Sequence, residues 1–581
     1  MSWGCRLKVA WEINMFKGIE ASRGIGIGNI CLVVEHDLSF ETRHIDDTEA
    51  EKARLNSAID RFKKKTAAMA ESVRKNIGSK EAAIIEGHLT MISDPTMTGE
   101  MSKRIEKGQC AEAAVNAVCD MFIAMFGDME DDMMKQRASD VSDIKNSLLK
   151  LLLGVKDVDI SNVAPGTVIV VHELTPSMVS QIVRENVVGI ITEAGGTTSH
   201  SAILARALEI PMVISVPGIT DVVHDNETAI VDGIEGTVYI NPPKQVIAQY
   251  ARKREEFIKA QAELKNFFGK KTLTADGEEV ELFCNIVTPQ DAKKALECDG
   301  EGIGLFRTEF LFMDGTQLPT EDEQFKAYKE AVEIMGDRTV IIRTLDIGGD
   351  KDIPYLGLEK EENPFLGHRA IRYCLSNPDI YKMQLRGILR ASAFGRVKIM
   401  IPMVTCLEEV RSVKALVEEC KRELKAKGED FDENIELGCM VETAAASLIA
   451  DILAKEVDFF SIGTNDLTQY TMSVDRENAN VAYLYSTFQP AVLRSIKNII
   501  EAGKKEGIPV GMCGEAAANP LMIPLLISFG LTEYSVNPGF VLSARSIISK
   551  WSKADADALA NKAMALATEA EVVALLKAEA K

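Results

Sequence analysis

Eight short apolar runs recur between residues 280 and 536, separated by stretches of helical spacing. They are VELFCNIV (280–287), GIGLFRTEF (302–310), VIIRTLD (340–346), KIMIPMV (398–404), ELGCMVE (436–442), FFSIGTND (459–466), PVGMCGE (509–515) and TEYSV (532–536). Eight strands alternating with helices predict a (β/α)8 barrel of the TIM type. Five of the runs end in polar residues: Arg307 and Glu309, Arg343 and Asp346, Glu442, Asn465 and Asp466, Cys513 and Glu515. The carboxyl ends of barrel strands carry the catalytic residues of such folds. The polar tails therefore predict an active-site mouth.

The chain ahead of the barrel changes texture several times. Residues 1–16 read as a leader outside the fold, with Arg6, Lys8 and Glu12 and no long apolar stretch. Gly18, Gly24, Gly26 and Gly28 precede the strand-like NICLVVE, but no strand comes before them and no helix follows, so they are not a dinucleotide fingerprint. Residues 46–155 carry apolar positions at helical spacing, as in Ala68, Val73 and Ile77, and predict a helical bundle. Short apolar runs return at 167–172, 187–193, 211–215 and 228–233, with VSQIVREN and HSAILARALE as helices between them. The bundle thus reads as an insertion into one α/β domain made of 17–45 and 156–242. Residues 243–272 form a helical linker, and 273–581 the barrel domain.

Composition removes other classes. Lys and Arg number 66 against 87 Asp and Glu, a net charge of −21, which argues against a nucleic-acid binder. Eleven scattered cysteines without CxxC spacing argue against a disulfide framework or structural zinc and fit a cytoplasmic protein. No apolar run of about 18 residues predicts membrane insertion.

At the mouth, arginines face two carboxylates, Glu442 and Asp466. One or two carboxylates commonly hold magnesium, with substrate oxygens and water completing its shell, and Arg suits a phosphate or carboxylate substrate. The plainer alternative is that these charges pair and close the barrel end. Cys513 is either a small buried residue or a proton donor. Together the set suits an enolate stabilised and then protonated on carbon. Far away in sequence, GGTTSHSAILARALEIP (195–211) puts His200 after a Gly-Gly turn at the start of a predicted helix, where an anion is favoured.

GGTTSHSAILAR, GIGLFRTEFLF, RTLDIGGDK, NPFLGHRAIR, IMIPMV, FSIGTNDLTQY, VDR and GMCGE, in this order, resemble the phosphoenolpyruvate–protein phosphotransferases, enzyme I of the bacterial sugar phosphotransferase system. The resemblance covers about residues 18–550. EAAIIEGHLTMISDP (81–95) is similar to the helical insertion of that family. The resemblance implies a swivelling phosphohistidine domain with an inserted docking domain for the phosphocarrier protein HPr, followed by a phosphoenolpyruvate-binding barrel that dimerises. It implies that His200 is the phosphorylated nucleophile and that Arg307, Arg343, Asn465, Asp466 and Arg476 bind phosphoenolpyruvate. It also implies that Glu442 and Asp466 hold Mg2+ and that Cys513 protonates enolpyruvate to pyruvate. Phosphate would then pass from His200 to HPr, the first step of sugar uptake through that system.

The chain departs from the family pattern at Arg23, Val179, Ala444 and Gln489, and in SVNPGFVLSAR (535–545). Two other readings stand beside the enzyme: a paralogue serving a regulatory carrier, and a phosphoenolpyruvate-sensing protein with little turnover. Intact His200, Glu442, Asp466 and Cys513 favour the enzyme.

Overall fold

The computed structural model describes residues 15–33, 38–76, 79–127, 132–155, 160, 162–174, 176–179, 181–195, 208, 210–313, 317–348, 353–358, 361–476, 478 and 480–581. The chain divides into two compact units, Met1–Gln261 and Ala262–Lys581.

The first unit is built on one sheet of β1 (Met15–Lys17), β2 (Ile19–Ser22), β3 (Ile25–Val33), β4 (Thr167–Val171), β5 (Val187–Thr192), β6 (Met212–Ile214), β7 (Thr228–Asp232) and β8 (Thr237–Ile240). Their order is β1-β8-β7-β3-β4-β5-β6-β2. β3 pairs in parallel with β4, from Asn29↔Thr167 to Val33↔Val171. Strands on both sides of the helical block in sequence are thus neighbours in the sheet. β4 is apolar on both faces: Ile169 and Val171 enter one core, Val168 and Val170 another. A strand covered on both sides reads as a continuous apolar run, which is why TVIVV is legible.

The glycines that open the chain serve close packing. A Cβ at Gly26 would lie 2.1 Å from the Val188 carbonyl, and one at Gly28 2.0 Å from that of Gly166. Only a residue without a side chain lets these backbones approach. Two expectations need correction. Met15 and Phe16, assigned to the leader, pair with Tyr239 and Val238, so the sheet begins before residue 17. VSQIVREN is not a helix: the helical turn covers Pro176–Val179, and Gln181 and Ile182 donate to the carbonyls of Met178 and Val179 in i→i−3 turns. Most of HSAILARALE lies outside the described residues.

The inserted helices are Thr48–Asn76, Ser79–Ile92, Pro95–Glu106, Ala111–Gly127 and Asp132–Leu153. Leu55, Ile59, Met101, Ile105, Val115, Val118, Ile144 and Leu148 form their core. Asp94 caps the third, accepting from Thr96 N at 2.7 Å, with Pro95 in the first turn where its missing N–H costs nothing. A helix follows at Lys244–Leu264, then a 3-10 turn, Lys265–Phe267. Its early residues Val246 and Tyr250 pack with Ile25 and Ile230, and Lys253 Nζ lies 2.8 Å from Asp232 Oδ2.

The second unit holds a closed barrel of eight parallel strands: β9 (Glu281–Ile286), β10 (Gly302–Phe306), β11 (Val340–Arg343), β12 (Val397–Ile401), β13 (Glu436–Val441), β14 (Phe460–Ile462), β15 (Val510–Met512) and β16 (Glu533–Val536). The eight runs are the eight strands. Each strand is shorter than its run, so several polar tails belong to the loop or helix that follows. Outward residues such as Ile303, Ile342, Ile399 and Ile462 meet the surrounding helices in one large core. Phe283, Leu305, Ile341, Met400, Met440 and Phe459 pack with Cys513 in a separate cluster.

Candidate active site

The mouth is assembled by the residues that leave the strands. Arg343 closes β11, Arg307 follows β10, Glu442 follows β13 and Cys513 follows β15. Asn465 and Asp466 lie in the first turn of the helix Thr464–Met472, and Arg476 in the loop beyond it. All seven barrel residues expected from the sequence fall at this end. His200 and residues 196–207 lie outside the described residues.

Arg343 is buried and fixed by two acids. Its Nη2 is 2.7 Å from Glu309 Oε1 and its Nη1 3.0 Å from Asp346 Oδ2. Burial opposes its charge, but Glu309, Asp346 and Glu442 outweigh that and raise its pKa. Asp346 also accepts from Arg369 Nη2 at 2.7 Å. Burial would neutralise Asp346, yet Arg343 and Arg369 hold its pKa below the usual value. Two guanidinium groups therefore sandwich one carboxylate. Among the described residues, Arg343 Nε and Arg369 Nε and Nη1 remain buried without hydrogen-bond partners. Buried donors of this kind are completed by an anion or by water.

Glu442 is fully buried. Its Oε1 accepts from Met403 N at 2.7 Å, while its Oε2 has no hydrogen-bond partner among the described residues. Met403 has φ +58°, a strained geometry for a non-glycine residue that turns its N–H toward the acid. Burial, then Asp466 and Asp346, push the Glu442 carboxyl well above its ordinary range. Asp466 Oδ1 is likewise buried without a hydrogen-bond partner, and Arg476 Nη1 stands 3.7 Å from it. A Cβ at Gly463 would lie 2.5 Å from Glu442 Oε2, so glycine keeps the space beside the acid open. Two orphaned carboxylate oxygens that repel each other fit a small hard cation whose remaining positions go to substrate and water. Among the described residues no group of three or more His, Cys, Asp or Glu could hold a metal alone.

Cys513 is 4% exposed, and its Sγ lies 3.8 Å from the Ile462 carbonyl. Burial pushes its thiol up to about 11, against a downward pull from the Ser461 hydroxyl beside it. The nearby Glu442 raises it further, and Arg343 and Arg307 lower it. It is thus a protonated thiol near two arginines and not a thiolate. Gly514 crosses Thr464 so closely that a Cβ would lie 1.8 Å from Thr464 Oγ1.

Arg369 was given no role from the sequence because it follows no apolar run. The signal was its place in NPFLGHRAIR. Ala370 beside it has φ +50°, and its N–H donates to Ile347 O at 3.0 Å, which anchors the arginine loop to the end of β11. Tyr485 donates to the Asn465 carbonyl at 3.2 Å. Arg23 is exposed in the turn between β2 and β3, and Val179 is buried in the first unit. Ala444 opens a helix capped by Thr443, and Gln489 precedes the helix Pro490–Glu506.

Three family models match along the chain: the N-terminal domain of PEP-utilising enzymes over 17–137, their mobile domain over 163–236 and their PEP-binding domain over 261–553. The phosphoenolpyruvate-protein phosphotransferase of Staphylococcus carnosus is 45% identical over 97% of this chain and 99% of its own. The chain belongs to this family. That of Bacillus subtilis is also 45% identical, over 97% and 99%, and that of Geobacillus stearothermophilus 46%, over 96% and 97%. The chain is a phosphotransferase of the PEP-utilising enzymes, and the barrel mouth lies within the part matched by their PEP-binding domain.

Proposed function

We propose that phosphoenolpyruvate binds at the barrel mouth, gives its phosphoryl group to His200 and leaves as pyruvate, and that phospho-His200 passes the group to HPr at the start of sugar uptake. The observation that carries this reading is the set of unpartnered donors on Arg343 and Arg369 opposite the unpartnered oxygens of Glu442 and Asp466, with a protonated thiol beside them. A trianionic substrate that becomes an enolate and then takes a proton on carbon needs such groups.

Arg307, Arg343 and Arg369 would neutralise the phosphoryl and carboxylate oxygens, with Asn465 and Arg476 completing the substrate site. Glu442 and Asp466 would hold Mg2+, which when bound draws charge from the phosphoryl and enolate oxygens. His200 attacks phosphorus through an unprotonated ring nitrogen, a form imidazole side chains supply near neutral pH. Cys513 gives its proton to the methylene carbon as the enolate collapses.

The inserted helices would dock the carrier, the helix Lys244–Leu264 would serve as hinge, and 17–45 with 156–242 would be the mobile phosphohistidine domain. Leu448, Ile452 and Tyr483 are exposed on the barrel unit and suit a homodimer contact there. Ten described cysteines are unpaired, in keeping with a cytoplasmic enzyme. No helix among the described residues is long and apolar enough to cross a membrane.

His200→Ala tests the two-site design. The variant is expected to bind phosphoenolpyruvate with affinity within about twofold of the unchanged chain while pyruvate turnover disappears. Loss of binding together with turnover would contradict the design.

A further inference from the structure

A second buried carboxyl lies inside the barrel, away from the mouth. Glu533 is the first residue of β16, at the amino end of the strands, and is 8% exposed. Its Oε1 has no hydrogen-bond partner. Two glycines make its space: a Cβ at Gly304 would lie 2.5 Å from Oε1, and one at Gly511 2.8 Å. Among charged groups, Glu281 stands level with it on β9, and Lys398 faces it from β12, its Nζ 2.7 Å from Glu436 Oε2 on β13. β10 and β15 bring only the glycines. Burial, then Glu281, push the Glu533 carboxyl up to about 8 against the opposing pull of Lys398, so it holds a proton at neutral pH.

Polar groups connect this carboxyl with Cys513. Ser535 Oγ lies 2.5 Å from the same Gly304 Cβ position, so it is within about 5 Å of Glu533 Oε1, a gap that one water bridges. Ser535 Oγ donates to Asn285 Oδ1 at 2.7 Å, and Asn285 Nδ2 donates to the Cys513 carbonyl at 2.9 Å. On the other side, Gly511 stands in register with both Glu533 and Ser461. The Ser461 hydroxyl acts on the Cys513 thiol, and among the described residues it is buried without a hydrogen-bond partner. Among the described residues, Glu533 Oε1 and Ser461 Oγ are thus buried oxygens without partners on the two strands that flank Gly511, and ordered water commonly completes such groups.

Each turnover proposed above takes a proton from Cys513 and leaves a buried thiolate. We propose that Glu533 is the proton reservoir that restores the Cys513 thiol, through bridging water and the Ser461 hydroxyl. The Cys513 S–H bond breaks as the new C–H bond of pyruvate forms. The Ser461 proton then passes to Sγ, water replaces the Ser461 proton, and the Glu533 carboxyl replaces the proton of water. The Glu533 carboxylate regains its proton from solvent past Glu281 at the amino rim, so each pyruvate takes up one solvent proton. Glu533 touches no substrate and is a positioning residue that acts through Cys513. The inference rests on the reading of Cys513 as proton donor.

The test is rapid-quench kinetics of the full chain with Glu533→Gln, saturating phosphoenolpyruvate and magnesium, and excess phosphate-accepting carrier. The first pyruvate per subunit is expected within about twofold of the unchanged rate, and later turnovers at least about tenfold slower, giving a burst that the unchanged chain lacks. Ser461→Ala, which keeps the carboxyl, is expected to give the same burst and carries the test should Glu533→Gln impair folding. Equal slowing of first and later turnovers, or no slowing of either, overturns the proposal. Failure of the underlying reading is visible separately: Cys513→Ala would then form pyruvate at the unchanged rate.

Discussion

At the carboxyl end of the barrel Glu309, Asp346, Glu442 and Asp466 face Arg307, Arg343, Arg369 and Arg476, whereas at the amino end Glu533 faces Glu281 with Lys398 as the opposing cation. Both ends bury carboxyls, but the consequences differ. At the mouth the arginines keep Asp346 charged, and Glu442 is left with a raised pKa and an empty oxygen for a ligand to complete. At the amino end Lys398, itself paired with Glu436, does not offset burial, and the carboxyl keeps its proton. Planar guanidinium groups with spare donors build an anion site, while an ammonium on a long stem adjusts a pKa.

The comparison can be broken at several points. Chelation of divalent metal is expected to abolish pyruvate formation, and added magnesium to restore it; turnover that survives the chelator would remove the metal role of Glu442 and Asp466. Arg343→Met is expected to lower kcat/KM by at least about 10³ and to destabilise the barrel by about 3 kcal/mol, because it strips Glu309 and half of Asp346's pairing. Steady-state kinetics and melting check the two parts, and a normal kcat/KM in a folded variant would show that the guanidinium only closes the barrel. Asp466→Asn is expected to raise the magnesium concentration for half-maximal rate at least about tenfold. An unaltered magnesium titration would assign Asp466 to Arg476 alone.

The amino end is tested through stability. A carboxyl whose folded pKa is raised binds more protons folded than unfolded between its ordinary value and about 8, so its contribution to stability falls as pH rises through that window and levels off above it. Melting of the unchanged chain minus that of Glu533→Gln is therefore expected to fall from pH 5 to pH 8, by an amount on the order of 3 kcal/mol. A difference independent of pH would mean that Glu533 is ionised in the fold.

Much of this was legible because burial leaves a mark on sequence. The eight runs became eight strands since each barrel strand packs against helices outside and filler inside. The polar tails found Arg343, Glu442 and Cys513, the residues where apolar packing stops. Asn465 and Asp466 sit on a helix start instead of a strand, yet the same stop placed them at the mouth. Arg369 escaped because its loop is held by Ala370 N–H and an ion pair, neither of which has a periodicity. Glu533 escaped for a related reason: nothing in TEYSV tells that Gly304 and Gly511, distant in the chain, open the space it fills. The opening glycines Gly26 and Gly28 proved to be contact points between backbones, which no local pattern shows.

Mass spectrometry of the intact chain and its peptides after incubation with phosphoenolpyruvate and magnesium, kept alkaline to preserve phosphohistidine, tests the central claim most directly. One phosphate on the peptide that contains His200, matched by one pyruvate per chain, is the predicted result. Pyruvate without phosphate on that peptide, or phosphate on another residue, would contradict it.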